Sequence, residues 1–390
     1  MSRTIVEIHA LQTVPPSNVN RDDTGSPKTA VFGGKRRARV SSQAWKRATR
    51  LAFNDVLDRS ELGVRTKRVV ELVAEQVTAV APDLEAAATD LAERVVKAAG
   101  LVLKPAGKVR VGQEAPRQET TYLVFLSRKQ VELLAAKAVE AGRAADVEAA
   151  VKAIKGKGLL DTEHSVDVAL FGRMVADVTD FNVDAAAQVA HAISVHAVDN
   201  EFDYFTAVDD VKNESEDEDA GAGMIGTVEF NSSTLYRYAT VDVDLLRANL
   251  GDVEAARRAT QAFVRAFVES MPTGKQNTFA NRTLPDAVVV TVRDTQPVNL
   301  VGAFEDAVTA EGSTTRLTVA ARRLGERASE VADVLGQRPV HAWLVGVGGA
   351  RAGLEASWPT GEDTGAAWVT LPTLYESVSE VVAERLGADS

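Results

Sequence analysis

The sequence has no cysteine in its 390 residues, which removes disulfides, thiolate metal sites, iron–sulfur ligation and a cysteine nucleophile together. Long apolar runs are missing as well. Nothing approaches the roughly 18 residues that span a bilayer, and the opening MSRTIVEIHALQ has no apolar core for a signal peptide. These absences imply a cytoplasmic protein with no membrane partner. Aromatic residues are only 5% of the chain, and no strand carries the alternating aromatics that stack bases in RNA-recognition modules. The five histidines, His9, His164, His191, His196 and His341, include no HExxH pair. There is no GxSxG elbow and no glycine-rich phosphate loop ending in Gly-Lys-Ser/Thr. The GVGG at 346–349 lacks the third glycine and the downstream acid of a dinucleotide fingerprint and reads as a turn. Asp161, Glu163, His164 and Asp167 form either a set of ligands for a hard cation or a polar turn. No catalytic constellation emerges, and no cofactor is implied.

What is present is a soluble balance of 45% apolar and 25% charged residues, enough for one large domain with insertions or two to three ordinary ones. The net charge of −11 is unevenly spread. Residues 1–50 hold ten Lys/Arg against Glu7, Asp22 and Asp23, a local +7, which leaves −18 on the rest. Screening over about 10 Å makes the local patch count for more than the total. Four cations flank glycines in Gly33-Gly34-Lys35-Arg36-Arg37-Ala38-Arg39, where backbone amides can approach a phosphate. On the helix capped by Ser41 or Ser42, Gln43, Lys46, Arg47 and Arg50 share one face. This face is either a phosphate-tracking surface or an ordinary solvated one. Trp45 is expected in the core.

Periodicity predicts a strand at 4–11, a long loop at 13–40, a helix from 41 to about 58, and about four helices between 62 and 155 broken at 104–121. Strands are expected at 166–171, 227–243, 286–293 and 340–347, and helices at 245–270, 315–335 and 372–386. Residues 188–198 fit helix or strand. The acidic run at 209–219 is either a solvated tip or a docking surface for a basic patch on another molecule. Alternating strands and helices with insertions indicate an α+β, ferredoxin-like sheet.

Several blocks resemble the CasC family of backbone subunits of type I-E CRISPR Cascade complexes. They are VNRDDTGSPKTAVFGGKRRARVSSQAWKRA at 19–48, VDVALFGRM at 166–174, AHAISVHAVDNEFDYFTAVDD at 190–210, GTVEFNSSTLYRYA at 226–239 and PTGKQNTFA at 272–280. The resemblance implies a modified RRM-like palm with a helical fingers insertion and a β-hairpin thumb. The palm would take residues 1–58, 183–198 and 227–390, the fingers 59–182 and the thumb 199–226. It implies a non-catalytic subunit that polymerises along the guide crRNA and presents the spacer to target DNA. Further copies of itself would be its partners, with a large subunit, a small subunit, Cas proteins of the fifth and sixth families and a recruited helicase-nuclease. Carried over by motif, the RNA contacts would be Arg21, Lys28, Ser41, Gln43, Lys46, Arg50, Met174, Tyr204, Phe205, Thr206 and Lys275. Tyr204 stands where tryptophan is usual. Two rival readings are a metal-dependent endoribonuclease of the type III kind using Asp22 or Asp23, and a general single-strand-binding protein.

Overall fold

The computed structural model describes residues 3–107, 117–154, 160, 162–174, 181–207, 224–358 and 366–388. The chain opens with strand β1 (Ile5–Ser17), strands β2 (Thr29–Phe32) and β3 (Lys35–Val40), and helix α1 (Ser42–Val56). A mainly helical stretch follows, with β4 (Gly63–Thr66), α2 (Val69–Val80), α3 (Ala88–Ala98), β5 (Leu103–Pro105), β6 (Gln118–Thr120), β7 (Val124–Ser127), α4 (Arg128–Arg143), α5 (Val147–Lys152) and α6 (Val166–Phe171). Next come β8 (Ala187–Val189), β9 (Ala192–Ser194), β10 (Glu201–Ala207), β11 (Met224–Asp242), α7 (Val243–Leu250), α8 (Val253–Glu269) and the single turn α9 (Gln276–Phe279). The last elements are β12 (Ala287–Arg293), α10 (Arg316–Val334), β13 (His341–Gly346), α11 (Gly348–Glu355), β14 (Ala366–Trp368) and α12 (Leu371–Ala388). The protein is therefore α+β, and no described helix is long and apolar enough to cross a membrane.

Two compact units divide the chain: Met1–Ala52 with Gln188–Val243 and Thr260–Ser390, and Phe53–Ala187 with Asp244–Ala259. The first holds the main sheet, in the order β14–β13–β12–β1–β11–β9–β3–β2. β1 runs antiparallel to both neighbours, so that Ile8 faces Ala239 of β11 and Val290 of β12. Helices cover both faces of this sheet. On one face Arg237 meets Trp45 of α1 and Phe267 of α8. On the other, Leu11, Tyr236, Tyr238 and Val289 join one core with Phe304, Val319, Leu324 and Leu354. A strand covered on both sides must bury its polar residues with partners. Glu7 accordingly accepts from Tyr238 Oη at 2.7 Å, Thr291 Oγ1 at 3.0 Å, the Val298 amide at 2.5 Å and Arg293.

The second unit has its own core. Val69, Val73 and Val77 of α2 recur at helical spacing and pack with Leu91 and Val95 of α3 and Leu134 and Ala138 of α4.

Four expectations from sequence are corrected. Residues 166–171 form the helix α6 and not a strand. Five of its six residues are buried, so no period separates the two forms, and Asp167 Oδ1 ties the turn by accepting from Ser165 Oγ at 2.7 Å and Gly63 N at 2.8 Å. The single helix over 245–270 is two, broken at Gly251, which takes φ +72°. Gly348 and Gly349 open α11 where a turn was expected. The long loop at 13–40 contains a hairpin, described next. The acidic run at 209–219 and Asp161 lie outside the described residues.

Candidate nucleic-acid interface

The basic segment is a β-hairpin, not a flexible loop. β2 and β3 pair from Thr29–Ala38 to Phe32–Lys35, and Gly33 and Gly34 make the turn at φ +56° and +69°. Two consecutive left-handed residues are what a tight two-residue hairpin turn requires. A Cβ at Gly33 would also lie 1.7 Å from the Glu305 carbonyl oxygen. Arg37 is buried, donating to the carbonyls of Ser194 at 3.0 Å and of Phe304 and Glu305 at 2.9 Å each. It is a structural rivet that leaves Lys35 and Arg36 exposed.

Ahead of the hairpin, residues 18–28 fold into a compact loop carrying Arg21 and Lys28. The Asp22 carboxylate accepts from Thr24 Oγ1 at 2.7 Å, Thr24 N at 2.9 Å and Ser26 N at 3.0 Å. The Thr24 hydroxyl and these amides hold it below the usual carboxylate range. Asn20 Oδ1 accepts from the Ser41 amide at 2.8 Å, which fastens the loop to the start of α1. Ser41 Oγ in turn accepts from Ala44 N at 3.3 Å as a helix cap. His191 Nδ1 sits 3.3 Å from the Ser42 amide and 3.2 Å from Arg39 Nη1, two donors that keep that nitrogen unprotonated. Burial and the neighbouring Arg39 and Lys28 push its pKa down.

On α1, Gln43 and Arg47 are exposed and Lys46 and Arg50 are half-buried, while Trp45 is buried as expected. Burial lowers the Lys46 pKa. The helix is clamped from beneath by Arg237, whose guanidinium lies 3.8 Å from the Trp45 ring and 4.6 Å from the Phe267 ring. It donates to Gln12 Oε1 at 2.5 Å and to the Phe267 carbonyl. Burial pushes its pKa down to about 9, which leaves it charged at neutral pH.

The remaining sequence-derived contacts reach the same loop from far along the chain. β10 and β11 pair from Glu201–Phe230 to Ala207–Met224, so Tyr204, Phe205 and Thr206 ride on a hairpin. Its base is moored to the loop: Glu229 accepts from Ser26 Oγ at 2.8 Å and Asn200 Nδ2 at 3.1 Å, and the buried Asn18 donates to the Glu229 carbonyl at 2.9 Å. On the other strand face, Phe230 packs on Phe279 at 5.7 Å, in the turn that Lys275 begins at φ +51°. Gly274 beside it presses on the loop so closely that a Cβ would lie 2.1 Å from the Val19 carbonyl oxygen. Arg21, Lys28, Ser41, Lys275 and the base of the hairpin thus belong to one connected patch of the first unit.

Met174 belongs to the second unit and is 86% exposed. Its projection follows from its neighbours. Gly172 ends α6 at φ +77°, and buried Arg173 anchors the chain through the carbonyls of Phe181 and Leu160 at 2.7 Å each.

Sequence reasoning missed Asn18, Asn20, Glu229 and Arg237, which position the patch, and Phe202, which is 67% exposed on β10. Only Phe202 carried a local signal, as an apolar residue in the acidic context of NEFDYF.

An α+β sheet with cations on the 18–28 loop, the β2–β3 turn, a capped helix and the turn at Lys275 defines a class of basic-patch proteins. The chain matches the family model of CT1975-like proteins over residues 6–366, and it belongs to that Cas family. Among solved structures, one chain described as part of a "CRISPR RNA-guided surveillance complex, pre-nicking" is 34% identical with a TM-score of 0.77, over 97% of this chain and 100% of the other. A second, from a "CRISPR RNA-guided surveillance complex", is 31% identical with a TM-score of 0.67, over 97% of this chain and 99% of its own. No curated protein matches the chain.

Proposed function

We propose that the protein is a non-catalytic backbone subunit of a Cascade-type RNA-guided surveillance complex, lining up in copies along a crRNA whose spacer pairs with target DNA. The observation that carries this is the end-to-end likeness to two chains of such complexes, at 34% and 31% identity. The division of labour fits the chemistry, because base pairing reads sequence while protein supplies a cationic cradle.

In this reading the order β12–β1–β11–β9, with α1 and α8 on one face, is the split βαβ arrangement of a ferredoxin- or RRM-like palm. The helical unit is the fingers and the β10–β11 hairpin the thumb. Arg21, Lys28, Ser41, Gln43, Lys46, Arg50 and Lys275 track phosphates, while Met174, Tyr204, Phe205 and Thr206 act on bases. Target DNA, further copies, the other Cascade subunits and a helicase-nuclease are the partners this role requires. The Asp22 carboxylate oxygen that folds its own loop speaks for a structural use of that residue.

Purification of the chain from its native host, followed by sequencing of the co-purified nucleic acid, tests the proposal. Short RNAs of uniform length sharing a repeat-derived handle are expected. Random RNA or DNA content sinks the reading, as does metal-dependent RNA cleavage abolished by Asp22→Ala or Asp23→Ala.

A further inference from the structure

We infer that Phe202 and Tyr204 form a two-ring slot for one unpaired nucleobase of the bound single strand; this deepens the RNA-binding reading above and rests on it. Phe202 is 67% and Tyr204 63% exposed on a paired strand. The register sets Phe202 opposite Glu229 and Tyr204 opposite Thr227, and directly opposed residues point to the same face. Alternation puts Glu201, Asp203 and Phe205 on the other face, where the Phe205 ring lies so close over Gly226 that a Cβ would be 2.4 Å from it. One face of the hairpin therefore presents two uncovered rings without Phe205 between them.

Their spacing suits a base. Side chains two apart on a strand are about 6.8 Å from each other, twice the rise of about 3.4 Å between stacked nucleotides. One base inserted between the rings has both π-faces covered. The surroundings favour a nucleic acid over an apolar protein segment. Glu229, the acid on this face among the described residues, has its oxygens engaged by Ser26 and Asn200. Ser26 belongs to the loop that also carries exposed Arg21, whose backbone bridges to Pro27. Cations for the adjoining phosphates thus sit on a loop fastened to the slot's own face.

The test uses the full-length chain and a single-stranded RNA substituted with 5-iodouridine. Phe202→Leu keeps an apolar strand residue but removes the ring, and should weaken RNA binding about five- to 100-fold, with an unchanged slope against salt because no phosphate contact is lost. Phe202→Trp should restore affinity, and photocrosslinks should map to Phe202 and Tyr204. Lys46→Glu is measured alongside. If Phe202→Leu binds normally while Lys46→Glu does not, the slot is wrong and the cradle stands. If both bind normally, the slot and the α1 contacts are both wrong, and if the unaltered chain itself binds no single-stranded RNA, the RNA reading falls. Loss of assembly between copies with undiminished RNA affinity would make the ring pair a protein contact and overturn the inference.

Discussion

Arg237 puts a full charge between two aromatic rings and hands its protons to neutral carbonyl oxygens. Truncating it leaves those acceptors unpaired and α1 unclamped, so Arg237→Ala should lower unfolding stability by about 2–4 kcal/mol in a urea titration. His9 presents the opposite problem. It is buried beside the Tyr236 hydroxyl at 2.9 Å, and burial pushes its pKa down from 6.5 to about 4. Above pH 6.5 it is neutral folded or unfolded and costs nothing. Between about 6.5 and 4 the unfolded chain takes up a proton that the folded chain refuses, so stability falls with pH across that window, by up to about 3 kcal/mol. Urea midpoints measured from pH 7 to 4.5 should show this loss, and His9→Gln should flatten it. Neither residue could be read as buried from the chain: an arginine in YRY and a histidine in an alternating strand look solvent-facing until both sheet faces are covered.

Among elements, those with strong local signals were legible. β1, α1, β11, β12 and α10 follow from alternation, helical spacing or a serine or threonine cap. The hairpin β2–β3 was hidden because its second strand is written in cations, KRRARV, and only the burial of Arg37, Ala38 and Val40 reveals the fold. Its turn is testable. Gly33→Ala sets a Cβ against the Glu305 carbonyl at a left-handed φ, so the hairpin should detach from that segment and the melting temperature should fall by several degrees. The α1 stripe was legible as charge, and its use is measurable by titration. Lys46→Glu or Arg50→Glu should weaken RNA binding about equally for every sequence, and each lost phosphate contact should flatten the salt slope by about 0.7. An unchanged slope would make the stripe an ordinary solvated face. The mooring residues were not legible at all, since Ser26 and Glu229 are 203 residues apart and nothing local marks such a pair.

For the whole molecule, a net charge of −11 coexists with a cationic patch because charges interact over about 10 Å in physiological salt. The blocks at 19–48, 190–210, 226–239 and 272–280 lie far apart in the chain, and the fold joins their loops and strand ends through specific hydrogen bonds and one glycine. Assembly is the property that belongs to this scale. Replacing residues 203–222 by a short Gly/Ser link should leave the monomer folded by circular dichroism and abolish ordered stacking of copies on RNA in sedimentation or electron microscopy. Filaments that persist would show that the hairpin is not what joins them.

The missing Cβ of Gly274 has a consequence for anyone building chimeras. Because the 272–275 segment rests on the backbone of Val19 with no side chain between them, the two loops are a matched set. Grafting either one alone from a relative should fail, and the smallest transplantable cassette is the pair together with Glu229, which holds the graft to the hairpin.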